Sequence, residues 1–232
     1  VFSWLIGHAG RLWEEAPRAF LHLRWGESYN SYKSYNSYRS YRKYSYLCVA
    51  MDSGFLKISA DYTNWNVYRK AVVICDVTEL FINRAIEPPN RTIDQMRQAA
   101  RSCKQNIVEG IADRTVSADS GIKLIGIARG SVRELLEDYC DYLRQHNYII
   151  WDLKDERTLA TRKFCIKHDD PKVFVEKCRL RSNETVANIM ITLIRQMDSM
   201  LAKVLKKLEK EFIENGGIKE AMTAARRNNR GF

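Results

Sequence analysis

The sequence predicts an all-α protein: an antiparallel up-down four-helix bundle with a helical or loop insertion before its last helix and a short basic C-terminal tail. Three observations predict it. Apolar residues recur at spacings of three and four along four long segments. Only 11 Gly and 4 Pro occur in 232 residues, so long helices go uninterrupted. The connections among the first three segments are short, which places consecutive helices side by side.

Residues 1–50 stand apart. Their opening, VFSWLIG, has no basic start and too short an apolar run for a secretory signal. Residues 28–46 repeat a Ser-Tyr-x triplet with Asn, Lys or Arg at the variable position. Tyrosines interleaved with Lys33, Arg39, Arg42 and Lys43 would suit stacking on single-stranded nucleic acid. The codons for Asn, Lys and Arg are single-base neighbours, so drift of a DNA repeat explains the pattern more simply. A period of three buries no continuous face. The segment is therefore expected to be disordered or non-native upstream sequence, with Met51 as the native start.

Residues 51–146 carry the first three helices. Asp61 to Asn64 offer polar caps for a helix over about Asn64–Arg84, whose inward side chains are Tyr68, Ala71, Val72, Cys75, Phe81 and Ile82. Trp65 is placed to anchor its start. Pro88-Pro89 forbids continuation. Thr92 with Gln95 reads as a capping box opening a second helix, about Ile93–Gly110, with Gly110 where it would end. Ile93, Met96, Ala100, Cys103 and Ile107 draw its apolar seam, and Arg97, Arg101 and Lys104 form a basic stripe beside it.

A polar bend at Asp113–Ser117 leads to a third helix, about Ala118–His146. Its seam is Ile125, Ala128, Val132, Leu135, Tyr139 and Tyr142. Gly126 and Gly130 lie four apart on it, each costing up to roughly 1 kcal/mol against Ala, which predicts tight packing against another backbone.

Residues 147–183 break the pattern. Trp151-Asp152 and Asp169-Asp170-Pro171 punctuate one or two short helices in this insertion. The fourth helix, 184–215, has a wide stripe through Val186, Ile189, Met190, Leu193, Ile194, Met197, Leu201, Val204, Leu205, Leu208 and Phe212. Gly216-Gly217 ends it, and 216–232 reads as a basic tail with Lys219, Arg226, Arg227 and Arg230.

The chemistry of the chain is spare. A net charge of +10 and a pI near 9.3 invite a polyanionic partner. No run of 18 apolar residues exists to span a membrane. Six cysteines include no CxxC pair, and no His stands at a ligand-like spacing, so neither a metal site nor a redox motif is indicated. Free thiols on apolar faces fit a reducing cytosol and a cytoplasmic protein. His146 and His168 sit in no recognisable catalytic context. Glu134, Glu137 and Asp138, like Asp76 and Glu79, read as solvated or salt-bridged helix faces, because a di-metal bundle would need Glu-x-x-His on two helices. No glycine-rich phosphate loop follows a strand. The expectation is a protein without catalytic residues or cofactor.

Three stretches carry a resemblance. YRKA at Tyr68–Ala71, QMRQAARSCKQNIVEG at Gln95–Gly110 and ARGSVRELLEDYCDYL at Ala128–Leu143 resemble the bacterial four-helix bundle proteins, also known as the 23S rRNA intervening-sequence protein family. The family's mark is a helix ending in Asn-Ile-x-Glu-Gly, here Asn106, Ile107, Glu109 and Gly110. A helix with Ala-x-Gly-Ser-x-x-Glu-Leu follows, here Ala128, Gly130, Ser131, Glu134 and Leu135. Short members lack the 147–183 insertion and the Gly-Gly basic tail, so this chain looks like the longer variety with a four helix bundle suffix. Its MDSGFLK at Met51–Lys57 is similar to starts in that variety.

The resemblance implies ring assembly, often as pentamers, without an established enzyme activity. It also implies a link to nucleic acid, since some members are encoded within rRNA insertions and relatives are accessory proteins of diversity-generating retroelements that engage a reverse transcriptase. On this reading Arg97, Arg101 and Lys104, with Arg226, Arg227 and Arg230, are candidate contacts to phosphates of RNA or DNA, without sequence specificity. Asn106, Glu109, Gly110, Gly130, Ser131 and Glu134 are structural motif residues, with Asn106 and Glu109 bonding neighbouring backbone to set how the bundle or ring closes. The alternative is a protein-interaction scaffold whose basic face meets an acidic partner and binds no nucleic acid.

Overall fold

The computed structural model describes residues 65–114 and 117–230. The chain divides at Asp52, and every described residue lies in the second unit, Ser53–Phe232. The upstream segment, the Met51 start and the capping candidates Asp61 to Asn64 lie outside the described residues. Those described are all-α, with no strand among them: α1 is Asn66–Ala85, α2 Arg91–Asp113, α3 Ala118–Gln145, α4 Glu156–Lys167, α5 Pro171–Arg179, α6 Asn183–Asn215 and α7 Ile218–Arg230.

Local chemistry starts most of them. The Asn90, Ser117, Asp155, Asp170 and Ser182 side chains accept hydrogen bonds from the backbone N–H two or three residues on, at the N-termini of α2 to α6. The cap of α2 is thus Asn90, bonded to the Thr92 N–H at 2.9 Å, rather than the expected Thr92 box, and the helix begins two residues early. Its predicted end at Gly110 is also corrected, since α2 runs three residues further. The end of α3 is a Schellman motif with Asn147 at φ 56° in place of glycine; Tyr148 N–H donates to the Leu143 carbonyl at 2.8 Å.

The four long helices pack in a closed cycle, α1 on α2, α2 on α3, α3 on α6 and α6 on α1. Their shared core contains Phe81, Met96, Ile107, Ile125, Leu135, Tyr139, Leu193 and Met197, all fully buried. Every seam residue predicted on α3 is buried. The insertion forms α4, which packs on α6, and α5, which packs on α1. This second layer explains why Val73, Ile74 and Val77, missing from the predicted inward set, are buried: α1 is covered on more than one side.

Polar pins hold the insertion in place. Lys70 is buried, and its Nζ donates to the carbonyls of Cys165 and His168 at the C-terminal end of α4. A cation there satisfies orphan carbonyls and meets the negative end of the helix dipole. Burial nonetheless pulls the Lys70 pKa below its ordinary value. Arg84 does the same service for α5, with Nη1 3.3 Å from the carbonyls of Cys178 and Arg179. Buried Asn188 accepts from Trp151 N–H at 2.8 Å and donates to Ile149 O at 2.9 Å, fixing the strap before α4 to α6.

The glycines divide into two kinds. At Gly121 an added Cβ would lie 2.9 Å from the Gly110 carbonyl oxygen and 2.8 Å from Arg114 Cβ, so α2 and α3 meet backbone to backbone there. Gly110 is therefore a close-packing position inside α2, not a helix terminator. At Gly126 and Gly130 a Cβ would meet nothing within 4 Å, which overturns the expected tight packing. Gly121→Ala is expected to cost about 1–3 kcal/mol, whereas Gly126→Ala and Gly130→Ala should each gain about 0.5–1 kcal/mol from helix propensity. Equilibrium urea unfolding of the three variants checks the opposite signs.

Candidate functional site

The predicted basic stripe of α2 lies against acidic residues of α1. Arg97 forms a two-pronged pair with Glu79, Nε to Oε2 at 3.0 Å and Nη2 to Oε1 at 3.1 Å, and a third contact to Asp94 at 3.2 Å. Hydrogen bonding to Arg97 holds the Glu79 carboxyl below its usual range, helped by Asn83. With its guanidinium fork so occupied, Arg97 is a structural ion pair, and its assignment as a phosphate contact is weakened. Lys104 is half-buried, and its charge bears on Cys75 and Asp76 of α1. Arg101 is exposed, with no ion-pair partner among the described residues. The stripe thus offers one open cation rather than three.

Asp76 is the strained member of this ledge. Burial pushes its carboxyl up to about 6, and the neighbouring Glu79 adds to the rise while Lys104 opposes it. The folded state therefore holds this proton more tightly than an unfolded chain, where the group titrates near 3.8. Stability falls as pH rises between those values, and the cost is fully present above the higher one. Asp76→Asn keeps the shape and removes the charge. It should raise stability at neutral pH by about 1–2 kcal/mol and flatten the fall between about pH 4 and 6, read from urea unfolding across pH.

The motif residues split between the helix interfaces and an open surface. Asn106 is half-buried and its Nδ2 donates to the Ser102 carbonyl of its own helix at 2.8 Å. Gly110 and Ser131 are buried, while Glu109, Gly130 and Glu134 are exposed. Gly130 and Glu134, with Arg133, Glu137, Arg195 and Asp198, line a groove of about 630 Å³ between α3 and α6 that lies open to solvent. Asp198 holds its wall: Arg129 Nε donates to it at 2.7 Å and Arg133 Nε at 2.8 Å, and the Arg129 bond in particular keeps its carboxyl acidic. Asp138, further along α3, is pushed up to about 6 by burial first, then by Asp141 and Glu134.

The C-terminal helices differ in character. The expected basic tail is helical: Glu220 Oε2 accepts from the Gly217 N–H at 2.9 Å, half of a capping box that starts α7. Arg226, Arg227 and Arg230 are exposed on it, as is Lys219, and none has an ion-pair partner among the described residues. Lys219, Arg226 and Arg230 stand seven and four apart, so they share one line of the helix. Just before it, α6 carries Lys203, Lys206, Lys207 and Lys210 at spacings of three, one and three, all exposed. Lys207 and Lys210 lean toward Glu211 and Glu214 at 3.7 and 3.6 Å, loose pairs on an exposed face. This lysine row escaped the sequence reading, although its spacing beside the apolar stripe of the helix was available as a signal.

Among the described residues no group of three or more His, Cys, Asp or Glu side chains could hold a metal ion. Burial pushes the thiols of Cys75, Cys165 and Cys178 up to about 12, which leaves them protonated and poor nucleophiles. Glu109 is not in the groove that Glu134 and Glu137 line. No described helix is long and apolar enough to cross a membrane. No protein-family model, curated protein or solved structure matches the chain.

Proposed function

We propose that this chain is a non-enzymatic, cytoplasmic, antiparallel up-down four-helix bundle of the intervening-sequence protein kind, which binds RNA or DNA through the basic faces of its C-terminal helices. The bundle is supported by the closed packing cycle of α1, α2, α3 and α6. It is also supported by Arg114 at the end of α2, whose guanidinium sits 5.0 Å over the Trp65 ring at the start of α1. The observation that carries the binding is α7: four exposed cations, three in one line, with no internal partner among the described residues. Such a row tracks a phosphate backbone and reads no base edges. Arg101, the exposed cation of the α2 stripe, is a secondary contact. No cofactor takes part.

Assembly into a homo-oligomer, a pentamer by the resemblance, is part of the same proposal. It is supported by the last turns of α6, where Phe212 and Ile213 are 39% and 74% exposed. A reverse transcriptase is the protein partner that the resemblance suggests. The test is binding of the chain to random duplex DNA, single-stranded DNA and structured RNA across a salt series, with mass by light scattering on the same sample. Micromolar or tighter binding whose log affinity falls linearly with log salt is expected. Failure to bind all three at low salt overturns the reading.

A further inference from the structure

α4 carries a surface that nucleic-acid binding leaves unused. Thr158, Thr161 and Cys165 are its buried side, and the helix packs on α6. Leu159 and Ile166, each about 100° round the helix from the buried Thr158 and Cys165, are 42% and 76% exposed. They stand seven residues apart, two turns along one line. Arg162 and Lys163 lie between them on the same face, with Lys167 at its edge, all exposed. None of these three cations has an ion-pair partner among the described residues, whereas Arg157 at the start of the helix is tied to Asp155 at 2.7 Å and lies 4.7 Å over Trp151.

The face is also held still. Lys70 caps the C-terminal carbonyls of α4 from beneath, and Gln196 of α6 donates to the Arg162 carbonyl at 3.1 Å. A rigid helix with an apolar pair bracketing free cations is preorganised for one kind of partner. Phosphate chains would use the cations but have nothing to pair with Ile166. A bilayer surface calls for a broad apolar face, and two aliphatic side chains with charges between them do not make one. An acidic amphipathic helix uses both features, since its aliphatic residues cover Leu159 and Ile166 while its flanking carboxylates reach the cations.

We propose that the outer face of α4 docks an acidic amphipathic helix of a partner protein, with Leu159 and Ile166 as the apolar anchors and Arg162, Lys163 and Lys167 as the charge clamp. These residues are separate from the cations assigned to nucleic acid, so either reading can fail alone. The test is selection of displayed random peptides of about 16 residues, some four helical turns, on the full chain. The expected pool pairs aliphatics three, four or seven apart with flanking Asp and Glu. Its members should bind at least about tenfold more weakly to Ile166→Glu and to Arg162→Glu/Lys163→Glu, because exposed rim and anchor positions are both removed. Both substitutions are at exposed positions, and retained helicity by circular dichroism verifies the fold. A pool without acidic character, or binding indifferent to both variants, overturns the proposal. So does phosphatidylserine-vesicle or RNA binding that is lost in these same variants.

Discussion

Phe81→Ala is expected to lower the free energy of unfolding by about 3–5 kcal/mol, with the value in the upper half of that range. Phe81 is completely buried, 4.9 Å from the Tyr139 ring and 4.8 Å from Tyr142, the latter edge-on. Truncation removes both aromatic contacts and leaves a cavity. How much that costs depends on how far the walls can close. Here the nearest wall cannot follow cheaply, because the Tyr139 hydroxyl donates to Thr78 Oγ1 at 3.1 Å inside the same core. Moving the ring inward would break that bond and strand two buried hydroxyls. Phe81→Leu refills much of the volume and should lose clearly less. Urea unfolding monitored by circular dichroism and by tyrosine fluorescence reads both values, and coincident transitions verify that one cooperative unit is being measured. A loss below about 1.5 kcal/mol for the alanine variant would mean that the aromatic cluster is loosely packed.

How legible this protein is depends on the range of the interactions. The seam of α3 reads directly from sequence because burial of one helix face imposes its own period, and all six predicted residues are in the core. The start of α7 was legible too: Gly217 followed by Glu220 is a local capping signal, but the density of arginines made the segment read as a tail. Longer reach defeats the pattern. Nothing near Lys70 says that a lysine on an apolar helix will be buried, since its acceptors are the Cys165 and His168 carbonyls far along the chain. Arg97 reads as a free cation on its own helix, and only the packing of α1 on α2 supplies Glu79. Gly126 and Gly130 show the converse. A glycine marks low helix propensity wherever it stands, but only the neighbouring atoms tell a close approach, as at Gly121, from open space.

Replacing Arg226, Arg227 and Arg230 together by Ala should reduce the slope of log affinity against log salt by about 2 to 3 units, and weaken binding on the order of a hundredfold at about 0.1 M salt. Each arginine that neutralises a phosphate releases close to one counterion, so the slope counts contacts while affinity alone does not. The substitution leaves a helix-favouring sequence, because Ala exceeds Arg in propensity, and loss of α7 cannot then account for the change. Arg101→Ala should remove about one unit, and Arg97→Ala none, since Glu79 already occupies that guanidinium. The order of these three effects separates ion-paired cations from open ones. Total net charge is a competing explanation, and it predicts that Arg97 and Arg101 behave alike. If the triple variant keeps the full slope, the phosphate contacts belong elsewhere, and the exposed Lys203–Lys206 row of α6 becomes the next surface to neutralise.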